Sequence, residues 1–586
     1  MKSILMMSIA VLVFLSAATA QTPCDDFAKY PVRFAILGDR TGGHQDHVYD
    51  SVVAEVERMR PDFVMTVGDQ IEGYTSDTAQ MRTEWDEYLG IVEPLTMPIH
   101  YTPGNHDITY DDMEPVYQVR IGKPYYSFDH RGIHFVVMDN SRTESAKEIS
   151  AEQMSWLVDD LAAHQDACYT MVFFHKPFWY RTLGEGETDA MIEAFKTGGV
   201  DAVFSGHFHT YFSTESDGIM YTAIGSSGAG TEESPEGLLY HFGWVTVDGE
   251  GIHVAPIKKD AVLAWDVQTL TEARSASKTK SEGITFSSPM PVSVANGGTI
   301  TTSNDLVTVK LQANMSDTLY SDTLRWEVPE GWKVEPDKVP YTVKAGTALE
   351  ASFKVTPGDK LYPLPNVSGR LPYAEGKTVK IDKTMQISRE VVCEPVDGKV
   401  KIDGKLSESF WKQPTTSLFE YDGSPTEQDS TAFYFAYDKD NLYVAAVCRD
   451  SKPDSLRATM KKRDDDVYTE DAVGVMIQPV AGPDAYQIYI NPLGTIYDQH
   501  LMQASDGYWS SDNTWNGEYE VKARRDKKGF VIEMSIPLAQ LGGTPKAGEQ
   551  WPVNFRRKQA RLNSAAGLQS PWSYDPTTYG RLVFHN

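Results

Sequence analysis

The chain has 586 residues, which is too many for one hydrophobic core and indicates about three domains of roughly 100–200 residues each. Its composition is that of a globular protein, with 41% hydrophobic and 23% charged residues. The formal net charge of −28 argues against nucleic-acid and anionic-membrane partners, because both require a basic surface. An acidic surface that keeps the protein soluble explains the same charge.

Residues 1–20 have the pattern of a secretory signal peptide. Lys2 supplies a positive charge, residues 4–15 are apolar, and residues 18–20 form a small-residue cleavage site. A retained membrane anchor is the alternative, although the apolar stretch is short for a bilayer. We therefore expect a secreted or periplasmic mature protein with no membrane span.

Four cysteines are present, and an oxidising compartment allows three pairings among them. Cys24 and Cys168 lie in the first predicted domain, and Cys393 and Cys448 lie in the last. The pairing Cys24–Cys168 with Cys393–Cys448 keeps each bridge within one domain. Buried free thiols are the alternative, and no cysteine spacing indicates a metal site.

From about residue 31 to residue 257, short apolar runs alternate with amphipathic helix patterns. Four segments place apolar residues at helical spacing: Val48, Val52, Val56 and Met59; Met81, Trp85, Tyr88 and Val92; Met154, Leu157, Val158 and Leu161; and Met191, Ile192 and Phe195. Ser150 and Gln153 form a capping box before the third segment. This alternation predicts a mainly parallel sheet covered by helices.

Six of the apolar runs end in residues that bind metals or lie beside such residues. The first three runs are 32–37 before Gly38-Asp39, 62–67 before Gly68-Asp69, and 99–102 before Gly104-Asn105-His106-Asp107. The other three are 134–138 before Asp139-Asn140, 170–174 before His175, and 201–204 before Gly206-His207-Phe208-His209. Because α/β folds bind ligands at the carboxyl edge of the sheet, we expect these side chains to converge there.

The residues at these strand ends are oxygen and imidazole donors: Asp39, Asp69, Asn105, His175, His207 and His209. A set without thiolates suits Mn, Zn or Fe ions and disfavours soft-metal sites. Six donors are too many for one four-coordinate ion but suit two ions that share a carboxylate. Two such ions clamp the attacking and leaving oxygens of an in-line phosphoryl displacement, with a shared hydroxide as nucleophile. His106 then faces the leaving group as acid or transition-state donor.

Over roughly residues 30–260, these motifs resemble the calcineurin-like metallophosphoesterases, which include purple acid phosphatases and Ser/Thr protein phosphatases. The resemblance implies that Asp39, Asp69 and His209 hold a first metal. It implies that the bridging Asp69 holds a second metal together with Asn105, His175 and His207. It also implies that His106 assists the leaving group, with a fold of two packed mixed sheets flanked by helices.

The chain departs from the family pattern at two positions. The first motif is usually Asp-x-His, and Thr41 stands at its histidine position. His44 or His47 is a candidate to compensate, although each also suits an ordinary loop or helix residue. Glu72 stands where purple acid phosphatases have a metal-binding tyrosine and protein phosphatases an aspartate that pairs with the catalytic histidine. We expect Glu72 either to bind the first metal or to orient His106; a solvated turn glutamate is the alternative.

Arg40 follows the first motif directly, in the sequence Gly38-Asp39-Arg40-Thr41-Gly42-Gly43. A guanidinium group at this place is suited to grip a substrate phosphate through two parallel hydrogen bonds. The alternative is a surface salt bridge.

Residues 275–283 are polar and lack periodicity, which predicts a linker. Residues 284–390 then alternate like strands between Gly and Pro punctuation, which predicts an Ig-like β-sandwich that serves as a spacer.

Several segments of residues 395–586 resemble the family 9 carbohydrate-binding modules, which are β-sandwiches. They are residues 401–406 with Trp411, 440–444, 491–494, 536–537, 554–557 and 572–573. The resemblance implies aromatic sugar platforms, for which Trp509, Trp515 and Trp572 are candidates, with Tyr508 beside them. Core packing is the alternative for each tryptophan. The run Asp464-Asp465-Asp466 suits a solvated acidic surface better than a calcium site.

The sequence thus predicts an α/β fold with an αββα metallophosphoesterase domain at 30–265. All-β sandwich domains follow at 284–390 and 391–586. We expect a secreted phosphomonoesterase or phosphodiesterase with two metal ions and a glycan-directed C-terminal module, so that a phosphate ester and a polysaccharide are its expected partners. The alternative is a catalytically lapsed domain in a glycan- or surface-binding protein, and the substitution at Thr41 is its only support.

Overall fold

The computed structural model describes residues 23–232, 237–294, 299–313, 319–344, 346–411, 414–479, 484–503, 509–570 and 572–585. The predicted signal peptide and Tyr508 lie outside these described residues. The chain divides into two compact units. One extends to Lys278 and includes Tyr373–Val379, and the other comprises Thr279–Pro372 and Lys380–Asn586. Within the described ranges, no helix is both long and apolar enough to cross a membrane.

Two six-stranded mixed sheets form the centre of the first unit. Their strands are β1 Val32–Leu37, β2 Phe63–Thr66, β3 Ile99–His100, β4 Tyr126–His130, β5 Ile133–Val137, β6 Tyr169–Phe173, β7 Ala202–Ser205, β8 Phe212–Ser216, β9 Ile219–Ala223, β10 His241–Asp248, β11 Gly251–Lys258 and β12 Ala261–Val262. One sheet has the order β12-β11-β10-β1-β2-β3 and the other β4-β5-β6-β7-β9-β8. The six predicted apolar runs correspond to β1, β2, β3, β5, β6 and β7.

The helices of this unit are α1 Val48–Met59, α2 Thr78–Val92, α3 Glu114–Arg120, α4 Ala151–Ala163, α5 Trp179–Gly184, α6 Ala190–Gly198 and α7 Leu270–Glu282. Asp77, Ser150 and Asp189 cap α2, α4 and α6 by accepting backbone N–H bonds. Gln153, the second half of the predicted capping box, instead bonds the backbone of Asp139 through both ends of its amide.

Alternate residues of the central strands face two different cores, as the period of a strand requires. Phe34 and Ile36 of β1 pack between the two sheets, together with residues of β2, β5, β6 and β7. Ala35 and Leu37 of the same strand pack instead under α1 and α2. The predicted αββα arrangement is therefore confirmed. Of the predicted helix faces, Met59 and Val158 are exceptions, because 37% and 50% of their surfaces stay exposed.

The prediction of a linker at residues 275–283 was wrong, because α7 extends through this segment to Glu282. Thr269 and Glu272 form a capping box at its start. Glu272 N donates to Thr269 Oγ1, and Thr269 N donates to the Glu272 carboxylate. The capping box therefore stabilises the start of a helix that the weak apolar periodicity of this segment does not predict.

The second unit is built of strands. Its first strands are β13 Ile284–Phe286, β14 Met290–Val294, β15 Ile300–Thr302, β16 Leu306–Gln312, β17 Tyr320–Glu327, β18 Lys333–Glu335, β19 Lys338–Val343, β20 Ala348–Thr356, β21 Asn366–Ala374 and β22 Lys377–Thr384. Eight of them form the sheets β13-β16-β20-β18 and β19-β17-β21-β22, and β14 pairs with β15. The rings of Trp326 and Phe353 meet across these two sheets at 5.3 Å.

The remaining strands are β23 Ile387–Pro395, β24 Thr431–Tyr437, β25 Asn441–Arg449, β26 Ala472–Ile477, β27 Ala485–Ile490, β28 Ile496–Gln503, β29 Trp509–Asp512, β30 Glu520–Asp526, β31 Gly529–Pro537, β32 Gln550–Gln559, β33 Ser564–Gly567 and β34 Gly580–Phe584. Eleven of them follow the order β29-β28-β27-β26-β32-β34-β23-β24-β25-β31-β30. In the same sheet, β33 pairs with β32, and β14 pairs with β15 and β23. β24 and β32 are not neighbours in this order, yet Phe433 and Phe555 meet at 4.3 Å, so the sheet folds over a core that contains both rings. The predicted domain boundary at 390 falls inside β23.

Cys24 and Cys168 form the predicted disulfide. The second predicted bridge was wrong, because Cys393 and Cys448 are buried free thiols. They lie on β23 and β25, and β24 stands between these two strands. Two strand spacings of about 4.8 Å exceed the Cα separation that a disulfide tolerates.

We expect the buried imidazole of His134 to make stability depend on pH. Its Nδ1 and Nε2 lie 2.8 and 2.9 Å from the carboxylates of Asp129 and Asp160. Burial alone lowers the pKa of His134, but these carboxylates raise it above the ordinary 6.5. The stabilisation is therefore complete below about pH 6.5 and is lost as pH rises through the raised pKa.

His134→Asn should lower the free energy of unfolding by about 1–3 kcal/mol at pH 6 and by less at pH 9, as measured by urea unfolding. The exposed His253 gives a control, His253→Asn, that should change little at either pH. An equal loss for His134→Asn at both pH values would contradict this assignment.

Candidate metal centre and aromatic pocket

The structure brings all six predicted metal donors together at the carboxyl ends of the central strands. His175 Nε2 lies 3.1 Å from Asp69 Oδ2 and 3.0 Å from Asn105 Oδ1. His207 Nδ1 lies 3.2 Å from the same His175 nitrogen, and His209 Nε2 lies 3.4 Å from Asp39 Oδ2. The carboxylate of Asp69 belongs to both resulting groups, one with His175 and His207 and one with Asp39 and His209.

Backbone carbonyls set the tautomers of three histidines. The Nδ1 atoms of His175, His209 and His106 each lie 2.7 Å from a carbonyl oxygen, of Val67, Gly230 and Glu72 respectively. An Nδ1–H donated to a carbonyl leaves the Nε2 lone pair to face the site, which is the usual arrangement for a metal-binding histidine.

The chemistry of the donors fits metal ions. Three acceptors, from Asp69, Asn105 and His207, surround His175 Nε2 within 3.2 Å. One proton bridges only one such pair, whereas a metal ion bridges them all. Asp39 Oδ1 is also buried without a hydrogen-bond partner among the described residues, which is costly for a carboxylate unless a cation compensates it.

The pKa values in the site follow from burial and from neighbouring charges. Burial raises the pKa of Asp39 well above its usual range. Burial also opposes ionisation of Asp69 and His175, but their mutual attraction outweighs it and moves their pKa values to about 2 and about 9. Burial beside His175 lowers the pKa of His207 to about 3, so this imidazole is neutral and available as a ligand.

Four glycines allow the ligands to come this close. A Cβ atom at Gly206 would lie 2.4 Å from Asp39 Oδ1, and one at Gly104 would lie 2.2 Å from Asp69 Oδ1. Gly68 and Gly42 both have positive φ, and Cβ atoms at these positions would likewise lie too close to the rings of His175 and His209. Asp69, His207 and His209 themselves adopt positive φ, a strained conformation that surrounding contacts must hold.

Asp107 holds the two ligand loops together, a role that sequence reasoning missed. Its carboxylate accepts backbone N–H bonds from Asp69, Gln70, Ile71 and Gly104. The last residue of the motif Gly104-Asn105-His106-Asp107 was the available signal. Asn140 acts similarly behind His175, since its Oδ1 accepts from the backbone N–H groups of His175 and Lys176.

The tentative placement of Glu72 at the first metal was wrong. Its carboxylate turns away to His44 Nδ1, at 2.6 Å, and joins neither donor group. Glu72 does orient His106, but through its backbone carbonyl. His44 is therefore engaged by Glu72, and His47 lies exposed at the start of α1.

Thr41 is buried and lies apart from both donor groups. Its Oγ1 lies 3.0 and 2.7 Å from the carbonyl oxygens of Asp69 and Ile71. The residue at the position of the missing histidine thus holds the loop that presents Asp69.

The placement of Arg40 at the substrate phosphate was also wrong. Its guanidinium is buried and donates to the carbonyl of Gln70 and to the carboxylate of Glu87 on α2. This arrangement ties α2 to the loop after β2 and leaves no fork for a substrate.

In the second unit, aromatic side chains line a pocket of about 410 Å³ formed by Tyr468, Gln487, Tyr489, Tyr497, Arg556, Trp572, Ser573 and Tyr574. The Arg556 guanidinium lies 5.2 Å from the Tyr489 ring centre and 4.6 Å from that of Trp572. Of the three predicted sugar platforms, Trp572 lines this pocket, whereas Trp509 and Trp515 do not. Trp509 and Trp572 both pack on the cluster of Met476, Ala485, Leu501 and Tyr579, and Trp515 packs on Tyr486 and His500.

These two sites agree with comparisons to known proteins. Residues 32–211 match the family described as calcineurin-like phosphoesterase. Residues 402–583 match the family described as carbohydrate family 9 binding domain-like. Residues 302–363 match the NPCBM-associated, NEW3 domain of alpha-galactosidase. The chain therefore contains a calcineurin-like metallophosphoesterase domain and, C-terminal to it, a family 9 carbohydrate-binding domain.

Among curated relatives, purple acid phosphatase 22 of Arabidopsis thaliana is 31% identical over 248 residues, which cover 37% of this chain and 53% of the relative. The Ser/Thr-protein phosphatase CPPED1 of Danio rerio is 26% identical over 189 residues, or 28% of this chain and 60% of the relative. The chain thus spans about half the length of the first of these. A solved family 9 module from Caldicellulosiruptor kristjanssonii in complex with cellotriose is 16% identical, covers 34% of this chain and 94% of the module, and has a TM-score of 0.24.

We predict that Gly206→Ala weakens metal binding about 10-fold or more, because the new methyl group would displace Asp39. Metal content after dialysis, measured by mass spectrometry, checks this. Gly90→Ala is the matched control: Gly90 lies in α2 with nothing within 4 Å of its Cβ position, so it should keep the metal and stabilise the helix by up to about 1 kcal/mol. Full metal occupancy in Gly206→Ala would contradict the prediction.

Proposed function

We propose that the protein is a secreted phosphoric ester hydrolase with two metal ions and a saccharide-binding module. The observation that carries this proposal is the sharing of Asp69 between two groups of buried donors. We assign Asp39, Asp69 and His209 to one metal, and Asp69, Asn105, His175 and His207 to the other. These oxygen and imidazole donors suit Mn, Zn or Fe.

When bound, two such ions activate a water molecule and polarise the phosphoryl group for in-line displacement. The protein residues hold these ions and protonate the leaving group. His106 keeps Nδ1 on the Glu72 carbonyl, and its Nε2 points to the side of Gly42 and His209. In its imidazolium form, with a proton on each ring nitrogen, His106 would donate the Nε2 proton to the leaving oxygen.

A groove beside the metal centre supports a substrate with an organic leaving group. It has a volume of about 480 Å³ and includes His207 together with Lys176, Phe178, Tyr180 and Phe208. Phe208, between the two ligands of its motif, exposes 43% of its surface next to Tyr180. Monoesters and diesters both suit this shape.

The disulfide Cys24–Cys168 supports export, because such bonds persist in oxidising compartments. Export agrees with the predicted signal peptide and with a glycan-directed module. We place the catalytic domain at 30–265, the spacer at 284–390 and the saccharide-binding domain at 391–586. A phosphate ester of an extracellular saccharide is the substrate class that unites these parts.

We expect the purified protein, loaded with Mn, Zn or Fe, to hydrolyse nitrophenyl phosphate or its diester. His207→Ala should lower kcat/KM at least about 100-fold, because metal charge stabilisation amounts to several kcal/mol. His253→Ala, at an exposed histidine, is the control and should remain active. Fewer than one bound ion per chain, with no turnover, would favour the lapsed-enzyme alternative that Thr41 suggests.

The wild-type protein is first tested for binding to a panel of soluble and insoluble polysaccharides. For each polysaccharide that the wild type binds, we expect Trp572→Ala in the full-length protein to abolish binding. Trp572 lines the aromatic pocket, whereas Trp515 does not. Trp515→Ala is therefore the matched control and should bind normally. Loss of binding in the Trp515 variant alone would move the saccharide site to the surface of Tyr486 and His500.

A further inference from the structure

Tyr74 stands beside the metal centre, although no motif contains it. Its hydroxyl oxygen accepts a hydrogen bond of 2.8 Å from Asn105 Nδ2, and its ring meets His106 edge-on with 4.6 Å between ring centres. The side chain is 54% exposed, so it borders the site from the solvent side.

The turn that carries Tyr74 is pressed against the catalytic loop. Tyr74 has a φ of 48°, and Gly73 before it has a φ of 58°. A Cβ atom at Gly73 would lie 1.7 Å from the His106 carbonyl oxygen, so only glycine permits this approach. Gly73 N also donates to the Glu84 carboxylate of α2, at 2.9 Å, which anchors the turn.

The hydrogen bond from Asn105 decides which end of its amide faces the metal donors. An asparagine amide has an oxygen end that accepts and a nitrogen end that donates, with nearly the same shape. With Nδ2 directed to Tyr74, Oδ1 is directed to His175 Nε2, at 3.0 Å. The reversed amide would present N–H groups to a cation and would repel it.

We propose that Tyr74 is a positioning residue whose hydroxyl holds Asn105 with its oxygen toward the second metal. This inference rests on the proposed function, because it assigns Asn105 to that metal. Tyr74 acts through Asn105, and its ring contact with His106 is a separate interaction that a phenylalanine keeps.

The test measures binding of Mn²⁺ alone to the metal-free full-length protein by titration calorimetry. Tyr74→Phe retains the ring and removes the acceptor, so the affinity of one of the two sites should fall about 10- to 100-fold. Tyr110→Phe removes a hydroxyl from a nearby tyrosine that is 47% exposed, and it should bind like the wild type.

A double-mutant cycle separates positioning from a general structural effect. In the Asn105→Ala background, Tyr74→Phe should cause no further loss of Mn²⁺ affinity. Wild-type affinity in Tyr74→Phe, or an additional loss in the Asn105→Ala background, would overturn the inference.

Turnover of nitrophenyl phosphate by the wild type keeps the two proposals distinguishable. If the wild type binds two Mn²⁺ ions but shows no turnover with Mn, Zn or Fe, the proposed function fails while the titration of Tyr74→Phe still decides the role of Tyr74. If the wild type binds no metal at all, both proposals are overturned.

Discussion

The metal centre depends on the placement of one buried carboxylate, that of Asp69. It borders both donor groups, and its Oδ1 also accepts the backbone N–H of His106 at 2.9 Å. Asp69 has a φ of 57°, which its surroundings must maintain. Asp107 does so by binding its N–H, and Gly104 does so by leaving room for its side chain. Asp69 is therefore fixed before any ligand arrives.

Asp69 and the buried carboxylates near it also concentrate negative charge in the interior of the domain. Asp39, Asp69 and Asp107 are all buried, and nearby negative charge adds to burial in opposing the ionisation of Asp39 and Asp107. Buried carboxylates of this density require compensation by cations. Since a metal that binds only the folded state stabilises that state, catalytic loading and thermal stability should rise together.

The sequence was sufficient for the strands, the order of the motifs and the convergence of the six donor-type side chains, because each lies within five residues of the end of a strand. It was not sufficient for side chains that choose between partners. Arg40 is drawn to Glu87, which lies 47 positions away on α2 and could not be foreseen as its partner. Glu72 contributes its carbonyl instead of its carboxylate, and Tyr74 reaches the centre through a turn rather than a motif. The second cysteine pair failed for a related reason, since strand order in the large sheet is not encoded locally.

The disulfide joins Cys24 and Cys168, which are 144 positions apart in the sequence. Asp39, Asp69 and Asn105 lie inside this covalent ring, whereas His175, His207 and His209 lie beyond it. The oxygen donors and the C-terminal histidines therefore belong to topologically separate parts of the domain. A metal ion held by both parts would close a second loop through coordinate bonds. The disulfide and such a metal ion would thus constrain the same domain through two separate loops.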